Sequence, residues 1–163
     1  MKVWIRLFVA VAVLALGYVA GAHLSGGAWP TPGLPVGGDR GHLRRQSMDF
    51  WEDIAFKDFD AAARHHAPDR VATVDIPYLL ERIFMQKPEL VDIRRVEIVR
   101  VDTDSSGDRG RVRCRLLMDD LAGKGTREQD ILLFWHRDSP AAPWYLELET
   151  SLRALKGEEG KTF

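Results

Sequence analysis

The sequence predicts an α+β domain in which N-terminal helices pack on a curved four-stranded antiparallel meander sheet. Between residues 43 and 84, apolar residues recur three and four positions apart, which is the spacing of amphipathic helices. Between residues 90 and 152, the pattern changes to β-branched and alternating runs separated by short turns. Consecutive strands joined by short turns pair most economically as an antiparallel meander, with the upstream helices covering its apolar face.

The first predicted helix covers residues 43–56, because Leu43, Ser47, Trp51 and Ile54 fall on one face at helical spacing. A second helix is predicted to begin after Asp58, a residue type that caps helix N-termini well. Its apolar stripe consists of Phe59, Ala62, Ala63 and His66. We expect Pro68 to stop this helix, since the residue before a proline is driven out of the helical region.

The third predicted helix begins after Asp75, which serves as its cap, and it carries Pro77 in the first turn, where no N–H group is needed. Pro88 is expected to end it. The stripe on its apolar face consists of Ile76, Leu79, Leu80, Ile83 and Phe84.

Four strands are predicted, over residues 90–102, 109–120, 127–138 and 144–152. The second strand alternates, so one face carries the apolar residues Val112, Cys114, Leu116 and Met118 and the other face carries Arg111, Arg113 and Arg115. The fourth strand alternates as well, with Trp144, Leu146 and Leu148 opposite Glu147 and Glu149.

Residues 1–22 show the three-part pattern of a secretory signal. Lys2 and Arg6 form a short positive region, an apolar run follows from Leu7 to Val19, and the segment 20–22 supplies small residues for cleavage. Cleavage after residue 22 and retention as an N-terminal membrane anchor both remain open. Either alternative places the rest of the chain in the periplasm or elsewhere outside the cytoplasm, secreted or held by one transmembrane segment.

The remaining segments are assigned by composition. A Gly/Pro-rich linker is predicted over residues 23–41, a folded domain over 42–153 and a flexible tail over 154–163.

The net charge of −1 gives no reason to expect a nucleic-acid partner, which needs a basic face. Cys114 is the one cysteine, so an intrachain disulfide and a cysteine-based zinc site are excluded. We expect it to be a small buried apolar residue.

The adjacent histidines His65 and His66 invite a metal-site interpretation, but neighbouring residues on a helix point about 100° apart. No HxxxH or HxxH spacing occurs in the chain. The sequence therefore favours a helix end over a metal site, with a pocket role for His66 as the alternative.

Residues 102–108 match the opening of a calcium-binding loop, with oxygen-bearing side chains at alternate positions and a glycine bend. The twelfth position is Arg113, where such a loop needs a glutamate, and strands flank the segment. A plain hairpin turn is therefore the preferred interpretation.

Arg111, Arg113 and Arg115 form a candidate docking face for an acidic partner or lipid headgroups. The alternative is a row of solvated cross-strand ion pairs, with Arg95 and Glu97 on the neighbouring strand and Glu147 and Glu149 further across.

A candidate pocket lies where helices meet the sheet, and its predicted lining is Trp51, Phe59, His66, Tyr78, Trp135 and His136. Such a cavity suits a small apolar ligand with one or two polar anchors. His66, Asp75 or His136 could act as an acid or base in it. Aromatic residues at these spacings are also typical of an ordinary core, and the motifs of nucleophilic enzymes and of phosphate-binding loops are missing from the sequence.

The stretches "FWEDIAFKDFDAAARHHAPD" and "PWYLELE" resemble the NTF2-like, or SnoaL-like, superfamily, with cystatin-like domains as near neighbours. The resemblance implies a curved sheet that wraps the helices and leaves a pocket. Its members include isomerases, dehydratases, ligand-binding proteins and envelope scaffold domains behind one N-terminal membrane segment. No catalytic motif of those enzymes can be placed on this chain.

Together these features predict an exported, non-enzymatic binding or scaffold domain of the cell envelope. It would associate with a protein partner or with itself, and with the membrane if the N-terminal segment is uncleaved. No cofactor, catalytic residue or metal ligand is assigned. The alternative is a small-ligand-binding protein, or an isomerase or dehydratase, that uses the pocket between helices and sheet.

Overall fold

The computed structural model describes residues 2–24, 37–85, 92–120 and 125–157. Contacts divide the chain into two compact units, Met1–His42 and Leu43–Phe163. The elements are, in order, α1 (Lys2–Leu24), α2 (Gly38–Ala55), α3 (Phe59–Ala63), α4 (Pro68–Thr73), α5 (Ile76–Met85), β1 (Asp92–Thr103), β2 (Arg109–Asp120), β3 (Gly125–His136), β4 (Tyr145–Leu146) and α6 (Leu148–Gly157).

The first unit contains α1 and the first residues of α2. The Gly37 N–H group donates a hydrogen bond of 3.1 Å to Nδ1 of His23. None of the helices in the described part of the chain is long and apolar enough to cross a membrane. Most of the predicted linker, residues 25–36, lies outside the described residues, as does the end of the predicted tail after residue 157.

The second unit is built on a four-stranded sheet in the order β1-β2-β3-β4, with every neighbouring pair antiparallel. At its centre, Cys114 lies opposite Ile98 on one side and Ile131 on the other. The predicted α+β class and the antiparallel meander are therefore confirmed. Strand β2 has the predicted bounds, whereas β1 and β3 are shifted by one or two residues and the start predicted for β1, residues 90–91, lies outside the described residues.

One face of the sheet is buried beneath the helices. Strand β2 contributes its predicted apolar side, and α2 and α5 supply the covering side chains of the same core cluster. The buried apolar side chains of these three elements are Leu43, Phe50, Trp51, Ile54, Ile76, Leu80, Val112, Cys114, Leu116 and Met118. Arg111 and Arg113 on the opposite face of β2 are exposed, as the alternation predicts.

Both predicted helix caps are present. The Oδ1 atom of Asp58 accepts a hydrogen bond of 2.9 Å from the Ala61 N–H group. Oδ1 of Asp75 accepts one of 3.1 Å from the Tyr78 N–H group. Pro88, the predicted stop of the third helix, lies outside the described residues.

The prediction that Pro68 only stops a helix is incomplete, because α3 already ends at Ala63 and Pro68 is the first residue of α4. Ala67, just before the proline, is extended with φ −61° and ψ 138°. A proline is well tolerated in the first turn of a helix, where its missing N–H group is not needed. The chain between α3 and α4 therefore forms a sharp corner, and His66 lies in it.

The fourth predicted strand, residues 144–152, is wrong beyond Leu146, because α6 begins at Leu148. Leu148 and Leu152 satisfy a helical spacing as well as an alternating one, so the pattern alone does not distinguish a helix from a strand here. The tertiary contacts decide it. The Phe134 N–H group donates to Oγ of Ser151 at 3.0 Å, and the Ser151 hydroxyl donates to the Glu147 carbonyl at 2.8 Å. A helix end thus satisfies backbone groups of β3 that a longer β4 would otherwise pair.

Lys57 at the end of α2 adopts a left-handed conformation with φ 61°. The Asp58 N–H group bonds the Asp53 carbonyl at 2.9 Å and the Lys57 N–H group bonds the Ile54 carbonyl at 3.0 Å. These two bonds define a Schellman motif, whose left-handed position favours glycine.

We predict that Lys57→Gly raises the free energy of unfolding by ~0.5–1 kcal/mol, measured by urea denaturation. Lys57→Ala removes the same charge without relieving the strain, so an equal gain in that control would contradict the explanation.

Gly110 of β2 provides the space into which α2 packs. A Cβ atom at this position would lie 2.5 Å from Cδ1 of Leu43, whose side chain is fully buried. We predict that Gly110→Ala lowers the free energy of unfolding by ~1–3 kcal/mol through overpacking. In a Leu43→Val background the same substitution should cost clearly less, because a smaller side chain faces it. Additive effects in this double-mutant cycle would show that the two residues do not compete for the same space.

Candidate functional site

The second unit contains a cleft of about 570 Å³ between the α3–α4 corner, α5 and the segment from the end of β3 to the start of α6. Its apolar lining consists of Ala67, Val74, Ile76, Leu79, Leu146, Leu148 and Leu152. Its polar lining consists of His66, Asp69, Arg70, His136, Glu147, Glu149 and Thr150. An apolar cavity with a few convergent polar groups is the usual form of a small-molecule site.

His66 is held in the cleft by the corner that follows α3. Its ring packs edge-on against Phe50, with the ring centroids 6.4 Å apart. Its Nδ1 atom lies 3.2 Å from the Ala63 carbonyl oxygen. Because a carbonyl oxygen only accepts hydrogen bonds, Nδ1 must carry the proton of the neutral ring and donate it.

This tautomer leaves Nε2 of His66 as a hydrogen-bond acceptor. The residue is 4% exposed, and Nε2 is buried with no hydrogen-bond partner among the described residues. Burial lowers the pKa of His66 from its usual value of 6.5, and the hydrogen bond to Ala63 opposes this effect only in part. The imidazole is therefore neutral at physiological pH, and the lone pair of Nε2 lies inside the protein, where solvent does not reach it.

His136 and Glu147 form a second polar group in the cleft. Nδ1 of His136 lies 3.5 Å from Oε1 of Glu147, which is longer than a good hydrogen bond. The other carboxylate oxygen of Glu147 accepts a hydrogen bond of 2.9 Å from the Thr150 hydroxyl. The His136 ring lies against Tyr145 with the ring centroids 6.0 Å apart. The hydrogen bond from Thr150 thus orients the carboxylate, and the His136 ring lies beside its other oxygen.

His65 has a different environment from its neighbour, and it does not line the cleft. Its Nε2 atom lies 3.1 Å from Oδ2 of Asp53, and its ring packs edge-on against Trp135. Its carbonyl oxygen accepts a hydrogen bond of 2.8 Å from the Leu146 N–H group. This bond joins the α3–α4 corner to β4 and so connects two walls of the cleft.

Two of the six residues predicted to line a pocket, His66 and His136, do line the cleft. The other four lie elsewhere: Trp51 and Trp135 are buried in the core, Phe59 packs against that core, and Tyr78 is exposed. Trp51, Trp135 and Phe59 instead fill the core between the helices and the sheet. The cleft lies instead at the end of the sheet, where the chain turns into α6.

Sequence reasoning missed the carboxylate and hydroxyl groups of the cleft. It placed Glu147 and Glu149 on a strand across the charged face of the sheet, which is wrong because they flank the start of α6. Asp69 and Arg70 were missed because Pro68 was taken as a stop. The signal that could have located the two glutamates was that Leu148 and Leu152 fit the spacing of a helix as well as that of a strand.

On the exposed sheet face, two of the three predicted docking arginines are ion-paired. Nε of Arg115 lies 2.9 Å from Oδ1 of Asp130, and a guanidinium nitrogen of Arg111 lies 3.5 Å from Oδ2 of Asp102. Arg113 lies directly opposite Arg100 in the register of β1 and β2. Arg111 and Arg115 thus form solvated cross-strand pairs, and their carboxylate partners, Asp102 and Asp130, are not residues that the sequence analysis named.

The segment 102–108 is a turn stabilised by its own polar groups. Oδ1 of Asp104 accepts hydrogen bonds from the N–H groups of Gly107 at 2.9 Å and Arg109 at 3.3 Å, and Oδ2 accepts one of 2.8 Å from the Ser106 hydroxyl. The Ser106 hydrogen bond is the main cause of a lowered pKa of Asp104. Gly107 supplies the positive φ of 75° that the turn requires.

Within the described residues, no cluster of three or more His, Cys, Asp or Glu side chains is arranged to bind a metal ion.

Cys114 is fully buried in the core, as the sequence predicted. Burial raises the pKa of its thiol to about 12, so the reactive thiolate is not formed at neutral pH.

Comparison with known proteins leaves the cleft to be interpreted from its own chemistry. No protein-family model, curated protein or solved structure matches the chain.

The lowered pKa of His66 predicts a loss of stability in mild acid. Between the folded pKa and the unfolded value of 6.5, the unfolded chain binds a proton that the folded chain excludes, so stability falls as the pH falls through this window. The loss should reach up to ~1.4 kcal/mol for each pH unit below the unfolded value, as seen in urea unfolding at several pH values. In His66→Gln this part of the pH dependence should vanish. An unchanged pH dependence in that variant would contradict the assignment of a buried neutral imidazole.

Proposed function

We propose that the chain is an exported, non-enzymatic binding domain of the cell envelope, with an NTF2-like fold, that holds a small ligand in the cleft of its second unit. One observation carries the proposal: the cleft combines an aliphatic lining with the carboxylate of Glu147, which is 30% exposed and is held by a hydrogen bond from the Thr150 hydroxyl.

The size and composition of the cleft support this proposal. Its volume of about 570 Å³ lies within the range of ~300–1,000 Å³ that is typical of ligand pockets. Seven apolar residues in its lining can cover the body of a ligand, while the carboxylate of Glu147 offers a polar contact. A pocket between helices and a curved sheet is also what the resemblance to the NTF2-like superfamily implies.

The charged sheet face is a weaker candidate for the binding surface. Arg115 and Arg111 already interact with carboxylates of neighbouring strands. Exposed pairs of this kind contribute about 0–1 kcal/mol each, and a partner would have to compete with them. The association with a protein partner or with a second copy that the sequence suggested stays a prediction.

The export part of the proposal depends on the sequence of residues 1–22. A positive start, an apolar run and small residues at 20–22 support passage through a membrane, followed by cleavage or by retention as an anchor. We therefore propose a periplasmic or other extracytoplasmic location.

An isomerase or dehydratase is a second candidate, and the pairing of His136 with Glu147 favours it. A carboxylate that orients an imidazole is a common arrangement for a general base. The 3.5 Å separation would have to shorten when a substrate binds. Such an enzyme would convert its ligand, whereas a binding domain would release it unchanged, so chemical analysis of the recovered ligand separates the two functions.

Two valines of similar exposure permit a matched test of the cleft. Val74 lines the cleft and is 40% exposed, whereas Val71 is 39% exposed and is not among the lining residues. We predict that a fragment library screened by ligand-observed NMR gives ligands whose affinity falls at least ~10-fold in Val74→Trp, because the indole fills part of the cleft. In Val71→Trp their affinity should stay within ~2-fold.

Thermal unfolding of both variants shows whether they remain folded before binding is compared. Fragments that bind both variants equally well would place the binding site elsewhere. A library that yields no ligand of the wild-type chain would contradict the proposed function itself.

A further inference from the structure

We propose that the edge of the sheet formed by β1 pairs with the same edge of a second copy of this chain, so that the two β1 strands run antiparallel and the two sheets become continuous. The inference does not rest on ligand binding in the cleft, which lies toward the β4 end of the sheet. It follows from the position of β1, from the order of its charged residues and from an exposed apolar residue at its centre.

The first step is the position of β1. The strand order places it at one edge of the sheet, and among the described residues β2 is the only strand that pairs with it. In an antiparallel sheet, every second residue of an edge strand directs its N–H and C=O groups away from its neighbour, where another strand can bond them. Strand β1 has 12 residues, so this edge is long.

The second step concerns the bulges that interrupt β1, one of which is at Val99. Beside it, the Arg44 side chain donates a hydrogen bond of 3.1 Å to the Ile98 carbonyl, so this carbonyl already has a donor from its own chain. Because a bulge inserts one extra residue, the alternation of side chains between the two faces shifts by one position across it. Arg95 and Asp102 therefore lie on the same exposed face, as their register with β2 shows.

The third step is the order of the charged residues on this face of β1, which is complementary to itself when reversed. Between the bulges and the end of the strand, this face carries Arg95, Glu97, Arg100 and Asp102. In an antiparallel pair with its two-fold axis between residues 98 and 99, Arg95 of each copy faces Asp102 of the other. Glu97 likewise faces Arg100. Symmetry repeats both pairs, and opposite charges at directly facing positions stabilise strand pairing.

The charged side chains are available for such pairs. Arg95 and Glu97 are exposed, and neither makes an ion pair with another described residue. Arg100 donates to Oδ1 of Asp102 through its Nε atom at 2.8 Å, and the terminal nitrogens of the same guanidinium group can bond a second carboxylate. A second copy would supply that carboxylate from Glu97.

The centre of the proposed interface carries an exposed apolar side chain. Val99 is 41% exposed, whereas the neighbouring apolar residues Ile98 and Val101 are buried. In the proposed register, Val99 of one copy lies beside Ile98 and Val99 of the other, next to the two-fold axis. Pairing would therefore cover a β-branched side chain, a type that packs well between strands.

Bulges and charged side chains are also the usual means by which proteins protect a sheet edge from pairing. On β1 the charges discriminate between registers. Registers that place Glu97 opposite Glu97, or Arg95 opposite Arg100, bring like charges together, which is unfavourable. The charge order thus opposes indiscriminate pairing and admits the antiparallel copy.

Sedimentation equilibrium of the full-length chain near neutral pH tests the inference. We expect a weak dimer with a Kd of ~10–100 μM, because one added strand pair is a small interface. Hydrogen exchange of the wild-type chain, measured below and above this concentration, should show amides of β1 that become protected only at the higher concentration.

Charge reversal tests the register. Glu97→Arg and Arg100→Glu should each weaken the dimer at least ~10-fold, because each places like charges opposite one another at both symmetry-related positions. The double variant restores opposite charges and should return the Kd to within ~3-fold of the wild type. Arg113→Glu is the matched control, since Arg113 is exposed and lies opposite Arg100, one strand inside the edge. It should change the Kd by less than ~3-fold.

The outcomes decide the inference separately from the proposed function. A chain that stays monomeric up to ~1 mM overturns it and leaves the edge to a strand of a different protein. A dimer that every variant retains is joined elsewhere, and one that the double variant weakens further pairs in another register, such as Glu97 opposite Arg95; both results also overturn it. Urea unfolding shows whether each variant is folded. If a variant is not, hydrogen exchange of the wild-type chain still decides, while the fragment screen tests the cleft independently.

Discussion

The buried contact between α2 and the inner face of β2 is the interaction on which the rest of the second unit depends. Leu43 occupies the space that Gly110 leaves free, and the neighbouring inward positions of β2, Val112 and Cys114, are fully buried. Burying a large apolar side chain contributes ~1.5–3 kcal/mol, so this layer supplies the main driving force for folding. The same buried layer contains large aromatic rings, among them those of Trp51 and Trp135. The cleft lies at the end of the sheet, where the chain changes direction.

The cleft exists because the sheet ends early at that place. Strand β4 has only two residues, and Leu148 begins a helix whose Ser151 satisfies a backbone group of β3. One hydrogen bond, from the Leu146 N–H group to the His65 carbonyl, fixes this segment against the corner between α3 and α4. The polar groups of the cleft thus come from residues far apart in the chain, and their positions depend on backbone contacts that also hold the fold together.

The sequence was informative where one physical rule acted alone. The alternation of β2, the caps Asp58 and Asp75 and the order of the strands followed from periodicity and local hydrogen bonding, and all are present in the structure. It failed where two rules competed. Leu148 and Leu152 satisfy both periods, and only the tertiary bond between Phe134 and Ser151 selects the helix. Most of the cleft could not be predicted, since Glu147 was assigned to a strand. His66 and His136 were proposed because of their chemistry, and that chemistry does not depend on where the strand ends.

His66 limits the stability of the fold at the wall of the cleft. An apolar side chain in its place would pack against Phe50 without leaving a buried acceptor unsatisfied, so the imidazole reduces stability. Its hydrogen bond to the Ala63 carbonyl offsets part of that cost and, at the same time, fixes the tautomer that leaves Nε2 as an acceptor. The same hydrogen bond that makes the buried histidine tolerable therefore leaves one acceptor unsatisfied inside the protein, and the same burial opposes protonation of the ring.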